Sequence, residues 1–240
     1  MSGKYVVNYY CLKKTIITNE QCCIFSWKNM EEHIAILMAD LSGYTALTET
    51  HGSSGAADLV EKYVSIVRDC LVGDSHLHSV VGDEVLIISS SADHLMYTAL
   101  LLIQNTGKEE NFLQVHGGLH FGKILKRNDN YFGTTINLTS RITNKAAPGT
   151  FWCSAEYIAA LSDHTEFTFE PKGKHRFKNL TEDNEVFELI TDNPKAFYID
   201  PVCRMVISKE ENAIQHSDAP DIFFCSSNCL DIYRKNNTIG

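Results

Sequence analysis

At 240 residues with 44% hydrophobic content and a formal net charge of −9, the chain can bury one substantial core and carry a small appendage, and its acidic balance argues against a nucleic-acid binder. The longest apolar stretch, Leu95–Ile103, is too short to span a bilayer, and the N-terminal region lacks a sustained hydrophobic run. The expectation is a cytoplasmic protein with no membrane partner. Eight cysteines are thinly spread, three of them near the C-terminus, a pattern of reduced thiols with some available for metal rather than a disulfide scaffold.

Residues 1–32 have mixed polarity, with Cys11, Cys22 and Cys23, and read as an N-terminal arm without a motif. His33–Ala39 reads as a buried strand ending at Asp40, after which Ser42-Gly43 turns the chain into a helix whose backbone N–H groups suit phosphate oxygens. A helix follows over Ala56–Val67. Leu77–Ile88 then reads as a hairpin whose Gly82-Asp83 tip presents a second carboxylate beside the first. Next come a helix through Leu95–Gln104, a strand at Leu113–His120, a helix near 134–144, and late strands at Phe167–Phe169 and Val186–Ile190. This order predicts an α+β fold with a ferredoxin-like βαββαβ core and additions over residues 33–192, closed by Asp192-Asn193-Pro194. A short cysteine-bearing segment, 197–234, follows it.

Two carboxylates on neighbouring strands can hold hard cations against a triphosphate, because Mg²⁺ takes one or two carboxylates plus substrate phosphates. Taken singly, Asp40 could be a helix N-cap and Asp83 a turn residue. A third constellation, Tyr131–Arg141, places Asn137 and Arg141 four apart, on one face of a helix. In this order, the three motifs together resemble the catalytic domain of class III nucleotidyl cyclases over about residues 33–192.

The resemblance implies that Asp40 and Asp83, with the carbonyl of Leu41, bind two Mg²⁺ or Mn²⁺ ions. One would activate the ribose 3′-hydroxyl and the other would neutralise the leaving pyrophosphate. Asn137 would orient the ribose and Arg141 would stabilise the α-phosphoryl transition state. Lys123 and Lys178 match positions that contact the triphosphate, Lys178 from the other subunit. In this family the metal aspartates and the Asn/Arg pair come from opposite subunits, so the implied assembly is a homodimer with two equivalent sites that bind a nucleoside triphosphate.

The resemblance also locates the two base-reading positions, here Ser79 and Asn130. Adenylate cyclases usually carry Lys with Asp or Thr there, and guanylate cyclases Glu with Cys or a similar small residue. Neither pair is present. An amide can pair with a pyrimidine edge, and the chain resembles the uridylate and cytidylate cyclases of antiphage Pycsar signalling, so UTP or CTP is the expected substrate. A slip of one residue onto Asp129 would restore an adenine-type acidic reader, so ATP is the alternative. A further alternative is a catalytically silent nucleotide- or metal-sensing module. His116 and His120 lie four apart on one strand face, but the family places an ordinary core histidine at the second position, and metal ligation by this pair is not expected. His76 and His78 flank the hairpin as surface or subunit-contact residues.

Asp200-Pro201-Val202-Cys203-Arg204-Met205, then His216, then Phe223–Cys229 resemble a YHS domain, a small treble-clef-like metal module. The resemblance implies that Cys225 and Cys229, four apart at a helix start, and Cys203 from a preceding turn hold Zn²⁺ or Cu⁺. His216 is read as structural. A metal-free packing module with buried cysteines is the other reading.

Overall fold

The first strand, β1 (Met30–Leu41), is buried on both faces, and this explains its unbroken apolar run. Ile34, Ile36 and Met38 pack into one layer, while Ala35, Leu37, Ala39 and Leu41 pack into the other. The computed structural model describes residues 30–127, 130–178, 180, 182–191, 197–207 and 213–237. Residues 1–29 of the expected arm, and Asp129, lie outside these.

After β1 come α1 (Tyr44–Asp69), β2 (His76–Val81), β3 (Glu84–Ser89), α2 (Ala92–Gly107) and β4 (Val115–Arg127). These strands form an antiparallel array in the order β2-β3-β1-β4, the ferredoxin-like arrangement expected from the element order. The sheet continues through β6 (Phe151–Ser154), β8 (Asp183–Ile190) and β7 (Thr168–Arg176), with β6 parallel to β4. The short β5 (Asn130–Phe132) pairs with the distal end of β4.

Helices α1 and α2 cover one face of the sheet, burying Tyr63, Val67, Leu95, Met96 and Leu102 with Tyr157 of α4 (Ala155–Ala159). Helix α3 (Thr134–Thr143) lies on the other face, where Leu138 and Ile142 pack with Phe177 and Val186. Among the described residues no helix is long and apolar enough to cross a membrane.

Four elements differ most from the sequence expectation. Helix α1 starts at Tyr44 rather than near Ala56, with its helical geometry interrupted at Gly52 (φ 77°, ψ 168°). Strand β4 runs to Arg127 because it stays paired with β1 along its whole length, from Leu41↔Val115 to Met30↔Lys126. Strand β6 and helix α4 were not anticipated; Ser154 ends the strand and caps the helix, accepting the Tyr157 N–H at 3.1 Å.

The C-terminal segment forms two small hairpins, β9 (Tyr198–Ile199) with β10 (Val206–Ile207) and β11 (Ile214–Gln215) with β12 (Phe223–Phe224), followed by α5 (Ser227–Asn237). Its own core is small, centred on Phe224, Cys229 and Leu230. It docks on α2, where the Phe197 and Tyr97 rings lie 5.0 Å apart.

Candidate active site

Asp40 stands at the end of β1, and Asp83 in the two-residue turn that joins β2 to β3, where Gly82 takes a left-handed φ of 62°. Pairing of Ala39 with Val85 sets the two carboxylates side by side. Asp40 is not the cap of α1: that place belongs to Gly43 (φ 89°), which makes no side-chain capping bond. The Asp40 Oδ1 instead accepts the N–H of its neighbour Leu41 at 3.1 Å, and the uncapped first turn of α1 leaves donors facing the same end of the sheet.

Burial raises the Asp83 pKa to about 6, helped by a hydrogen bond to and repulsion from Asp40. Glu84, half-buried, is raised by desolvation and then by the Asp83 charge. Tyr63 of α1, within reach of the charges of the pair, is fully buried, and its hydroxyl has no hydrogen-bond partner among the described residues. Burial, then the charges of Asp40 and Asp83, push its pKa well up. Two carboxylates crowded against each other form an all-oxygen pair that a divalent cation would relieve, so these residues fit Mg²⁺ or Mn²⁺.

His116 faces Asp40 across the β1–β4 ladder, and its Nδ1 is hydrogen-bonded at 2.9 Å to Ser42 Oγ in the turn that follows Asp40. Desolvation lowers its pKa and the nearby Asp83 charge opposes that. His120 has a different partner, Ser154 Oγ at 2.7 Å, so the two histidines serve separate places.

Asn137 and Arg141 are both exposed on α3, opposite the buried face made by Thr135, Leu138, Thr139 and Ile142. They therefore point away from the sheet that carries the carboxylates. Lys178 is exposed and follows Phe177, which packs under the same helix. Lys123 is also exposed, ion-paired to Glu31 at 2.5 Å, and lies seven residues beyond His116 on β4, about 23 Å along the strand. One chain thus does not gather these cations around Asp40 and Asp83. Ser79 sits half-buried at a bulge in β2, and Asn130 opens β5, exposed. The rings of His78 and Tyr131, their neighbours, meet at 5.1 Å.

In the C-terminal segment, ligand atoms from Asp200, Cys203, Cys225 and Cys229 all lie within 4.8 Å of one another. Cys203 and Cys225 sulfurs are 3.5 Å apart, and Cys225 and Cys229 3.8 Å. Desolvation and then the Asp200 carboxylate push the Cys225 thiol up to about 12, which a bound soft cation would reverse. This donor set fits Zn²⁺ or Cu⁺. His216 packs its ring near Phe224 and Tyr233 and stands outside the cluster.

Sequence reasoning missed Tyr63 and Asp200, and it weighed His116 only as half of a metal pair with His120 and not as the partner of Ser42. Asp200 lay within a quoted motif but had no assigned part, and a tyrosine on an apolar helix face signals only core.

The family model for the adenylate and guanylate cyclase catalytic domain matches residues 27–191. An uncharacterised protein of Mycobacterium tuberculosis is 34% identical over 159 residues, covering 66% of this chain and 41% of that protein. An adenylate cyclase of Glutamicibacter nicotianae is 31% identical over 134 residues, covering 55% of this chain and 33% of its own length. The chain thus spans well under half the length of these relatives. Among solved structures, the fold is similar to an adenylate cyclase from Trypanosoma brucei (TM-score 0.60, 18% identity, 66% of this chain and 88% of that one). It is also similar to the adenylyl cyclase CyaB from P. aeruginosa (TM-score 0.56, 15% identity, 69% and 97%). With the paired carboxylates, the ferredoxin-like sheet and a match over most of its length, the chain belongs to the family of adenylate and guanylate cyclase catalytic domains, the class III cyclases.

Proposed function

We propose that the chain is a nucleotidyl cyclase that converts ATP to 3′,5′-cyclic AMP and pyrophosphate at a site shared by two copies. The observation that carries this reading is the Asp40–Asp83 pair, crowded enough to raise Asp83, in a chain whose Asn137 and Arg141 face outward on a separate helix. Asp40 and Asp83, with the Leu41 carbonyl, would hold two Mg²⁺ or Mn²⁺ ions, which when bound supply Lewis-acid activation of the 3′-hydroxyl and charge neutralisation at the β- and γ-phosphates. The uncapped N-terminus of α1 and the Ser42–His116 pair position the triphosphate. From the partner copy, Asn137 orients the ribose, so that O3′ attacks the α-phosphorus as the bond to the β-phosphate oxygen breaks. Arg141 stabilises the charge on the α-phosphoryl group, and Lys178 contacts the triphosphate. Val80, Val81 and Phe132 are exposed apolar side chains on β2 and β5, which supports burial against a second copy.

The relatives named for an activity are adenylate cyclases, including those of Glutamicibacter nicotianae and Streptomyces coelicolor. They favour ATP over the UTP or CTP expected from Ser79 and Asn130, and they lend no support to a role in antiphage signalling. Asn130 both donates and accepts, so it serves an adenine edge as readily as a pyrimidine one. The C-terminal segment is read as a YHS-type module with Zn²⁺ or Cu⁺ on Cys203, Cys225 and Cys229.

Incubation of the purified chain with Mn²⁺ and each of ATP, GTP, CTP and UTP, with products identified by mass spectrometry, tests the reading. Cyclic AMP is expected. Cyclic UMP or CMP as the main product would restore the pyrimidine assignment, and no cyclic product from any of the four overturns the enzyme. Asp40→Ala and Arg141→Ala should each be inactive. Mixed, they should recover about a quarter of wild-type activity, because half of the dimers then carry one intact site of two.

A further inference from the structure

The thiol cluster and the carboxylate pair sit at different places on the fold, but one arginine joins them. Asp200 is fully buried and uses its carboxylate to hold the two cysteine-bearing turns together. Its Oδ1 accepts the N–H groups of Val202 at 2.8 Å and Cys203 at 3.2 Å, and its Oδ2 accepts that of Cys225 at 2.8 Å. With its oxygens engaged this way, Asp200 is a positioning residue and ligation falls to the three sulfurs. Three thiolates suit trigonal Cu⁺, or Zn²⁺ with one position open. Cys203 and Cys225 are exposed, so the site is reachable from solvent.

Arg204 follows Cys203 in the same turn and holds a left-handed φ of 61°, a conformation that a non-glycine residue keeps only where its surroundings enforce it. The enforcement is visible. Its N–H donates to the Asp200 carbonyl at 2.9 Å, and its own carbonyl accepts the Gly73 N–H at 3.1 Å. Its guanidinium donates to the Leu71 carbonyl at 3.3 Å and to the Asp69 carbonyl. These carbonyls lie at the C-terminal end of α1, where backbone acceptors lack helical partners and a cation is favoured. Tyr63, whose unpartnered hydroxyl feels the charges of Asp40 and Asp83, is six residues before Asp69 on that helix, about 9 Å along its axis. Gly73, the other point gripped, leads directly into β2 and so into the hairpin that carries Asp83.

We propose that Cys203, Cys225 and Cys229 form a regulatory soft-metal site, whose occupancy orders the 200–205 turn and, through Arg204, holds α1 and the entry to β2 in the catalytically competent position. The proposal rests on the cyclase reading for its consequence and on the thiol cluster for its trigger. The sulfurs already stand 3.5 and 3.8 Å apart, the spacing of thiolates on one metal, so binding locks that arrangement and fixes the turn. Its removal leaves only the hydrogen bonds of Asp200 to do so, and the arginine clamp loosens.

The test compares the full reduced chain, stripped of metal, with the same chain given one equivalent of Zn²⁺, in saturating Mg²⁺ and ATP. One Zn²⁺ per chain should bind and protect Cys203, Cys225 and Cys229 from alkylation. Amide hydrogen exchange over residues 66–75 should slow, and kcat should rise about fivefold or more, the scale of ordinary allosteric coupling. Arg204→Gly, which tolerates the left-handed backbone, should bind Zn²⁺ with unchanged stoichiometry yet show neither response. Unchanged exchange over 66–75 in the loaded wild type, or a wild-type response in Arg204→Gly, overturns the proposal. A chain that makes no cyclic nucleotide refutes the cyclase reading instead, and the exchange measurement then still decides whether the clamp responds to metal.

Discussion

Gly118→Ala is the sharpest probe of how the sheet positions α3, the helix proposed to carry Asn137 and Arg141 to the site. Gly118 lies on β4 directly beneath α3, and a Cβ there would stand 2.6 Å from the Thr143 nitrogen, 2.8 Å from Thr143 Oγ1 and 2.9 Å from the Thr139 carbonyl oxygen. Ordinary contact begins at 3.4 Å, so the shortfall is about 0.8 Å at the worst atom. Two of the three clashing atoms are backbone and cannot rotate aside, and Thr143 Oγ1 is already bonded to the Thr139 carbonyl at 3.0 Å. The helix must lift, at a cost of about 1–3 kcal/mol in stability, the usual range for overpacking. Asn137 and Arg141 ride on that helix, and a displacement of about 1 Å in a positioned group costs about 100-fold in rate. Urea denaturation and steady-state turnover of Mn²⁺-ATP measure the two effects. Gly107→Ala is the control: nothing lies within 4 Å of its Cβ, and at the end of α2 it should leave activity intact and stabilise by up to about 1 kcal/mol. A Gly118→Ala protein as stable and as active as wild type would refute the claim that close approach of α3 to β4 sets the site.

Two further outcomes concern the elements that support it. Thr98 is fully buried and its hydroxyl accepts the Val72 N–H at 3.2 Å; Thr98→Val keeps the shape but orphans that N–H, and urea denaturation should show a loss of about 1–3 kcal/mol, an unchanged midpoint contradicting the assignment. Desolvation raises the Asp74 carboxyl, but hydrogen bonds from His94, Ser89 and Ser90 outweigh it and hold it below its ordinary 3.8. The unfolded chain therefore takes up the proton first, and stability present above about pH 4 is lost as pH falls toward the folded value. Asp74→Asn should lose less stability than wild type between about pH 6 and pH 3, and equal losses in the two proteins would rule out this contribution.

What could be read from the residues was what the chain writes locally. The double-faced run of β1 and the Gly82-Asp83 tip carry their geometry in the side chains themselves, so the ferredoxin-like core and both carboxylates were legible. The first turns of α1 carry Thr45, Thr48, Glu49 and Thr50 without an apolar stripe, and only from Ala56 does the helical period emerge. The far half of β4 mixes Lys123, Lys126 and Arg127 with apolar residues and becomes strand because β1 pairs with it. The Ser42–His116 bond depends on the register between two strands, and the Arg204 guanidinium reaches a carbonyl 135 residues away. No local pattern announces contacts of that kind.

The strand geometry also bears on which copy would read the base in the proposed shared site. Asn130 pairs with Arg127 at the far end of β4, whereas Asp40 faces His116 near its start. Eleven residues of extended strand separate those two points, about 36 Å, far beyond the span of one bound nucleotide. Asn130 therefore cannot serve the carboxylates of its own chain. It lies instead just before α3, separated from it by Tyr131–Gly133, so in the proposed shared site the copy that supplies Asn137 and Arg141 would also supply Asn130 as the base reader. In the mixed dimer of Asp40→Ala and Arg141→Ala chains, the working Arg141 belongs to the Asp40→Ala chain. Adding Asn130→Ala to that chain should change the KM for ATP and the preference among nucleotides, while adding it to the Arg141→Ala chain should change neither. The reverse pattern would place the base pocket with the carboxylates and refute the division of the site between the two copies.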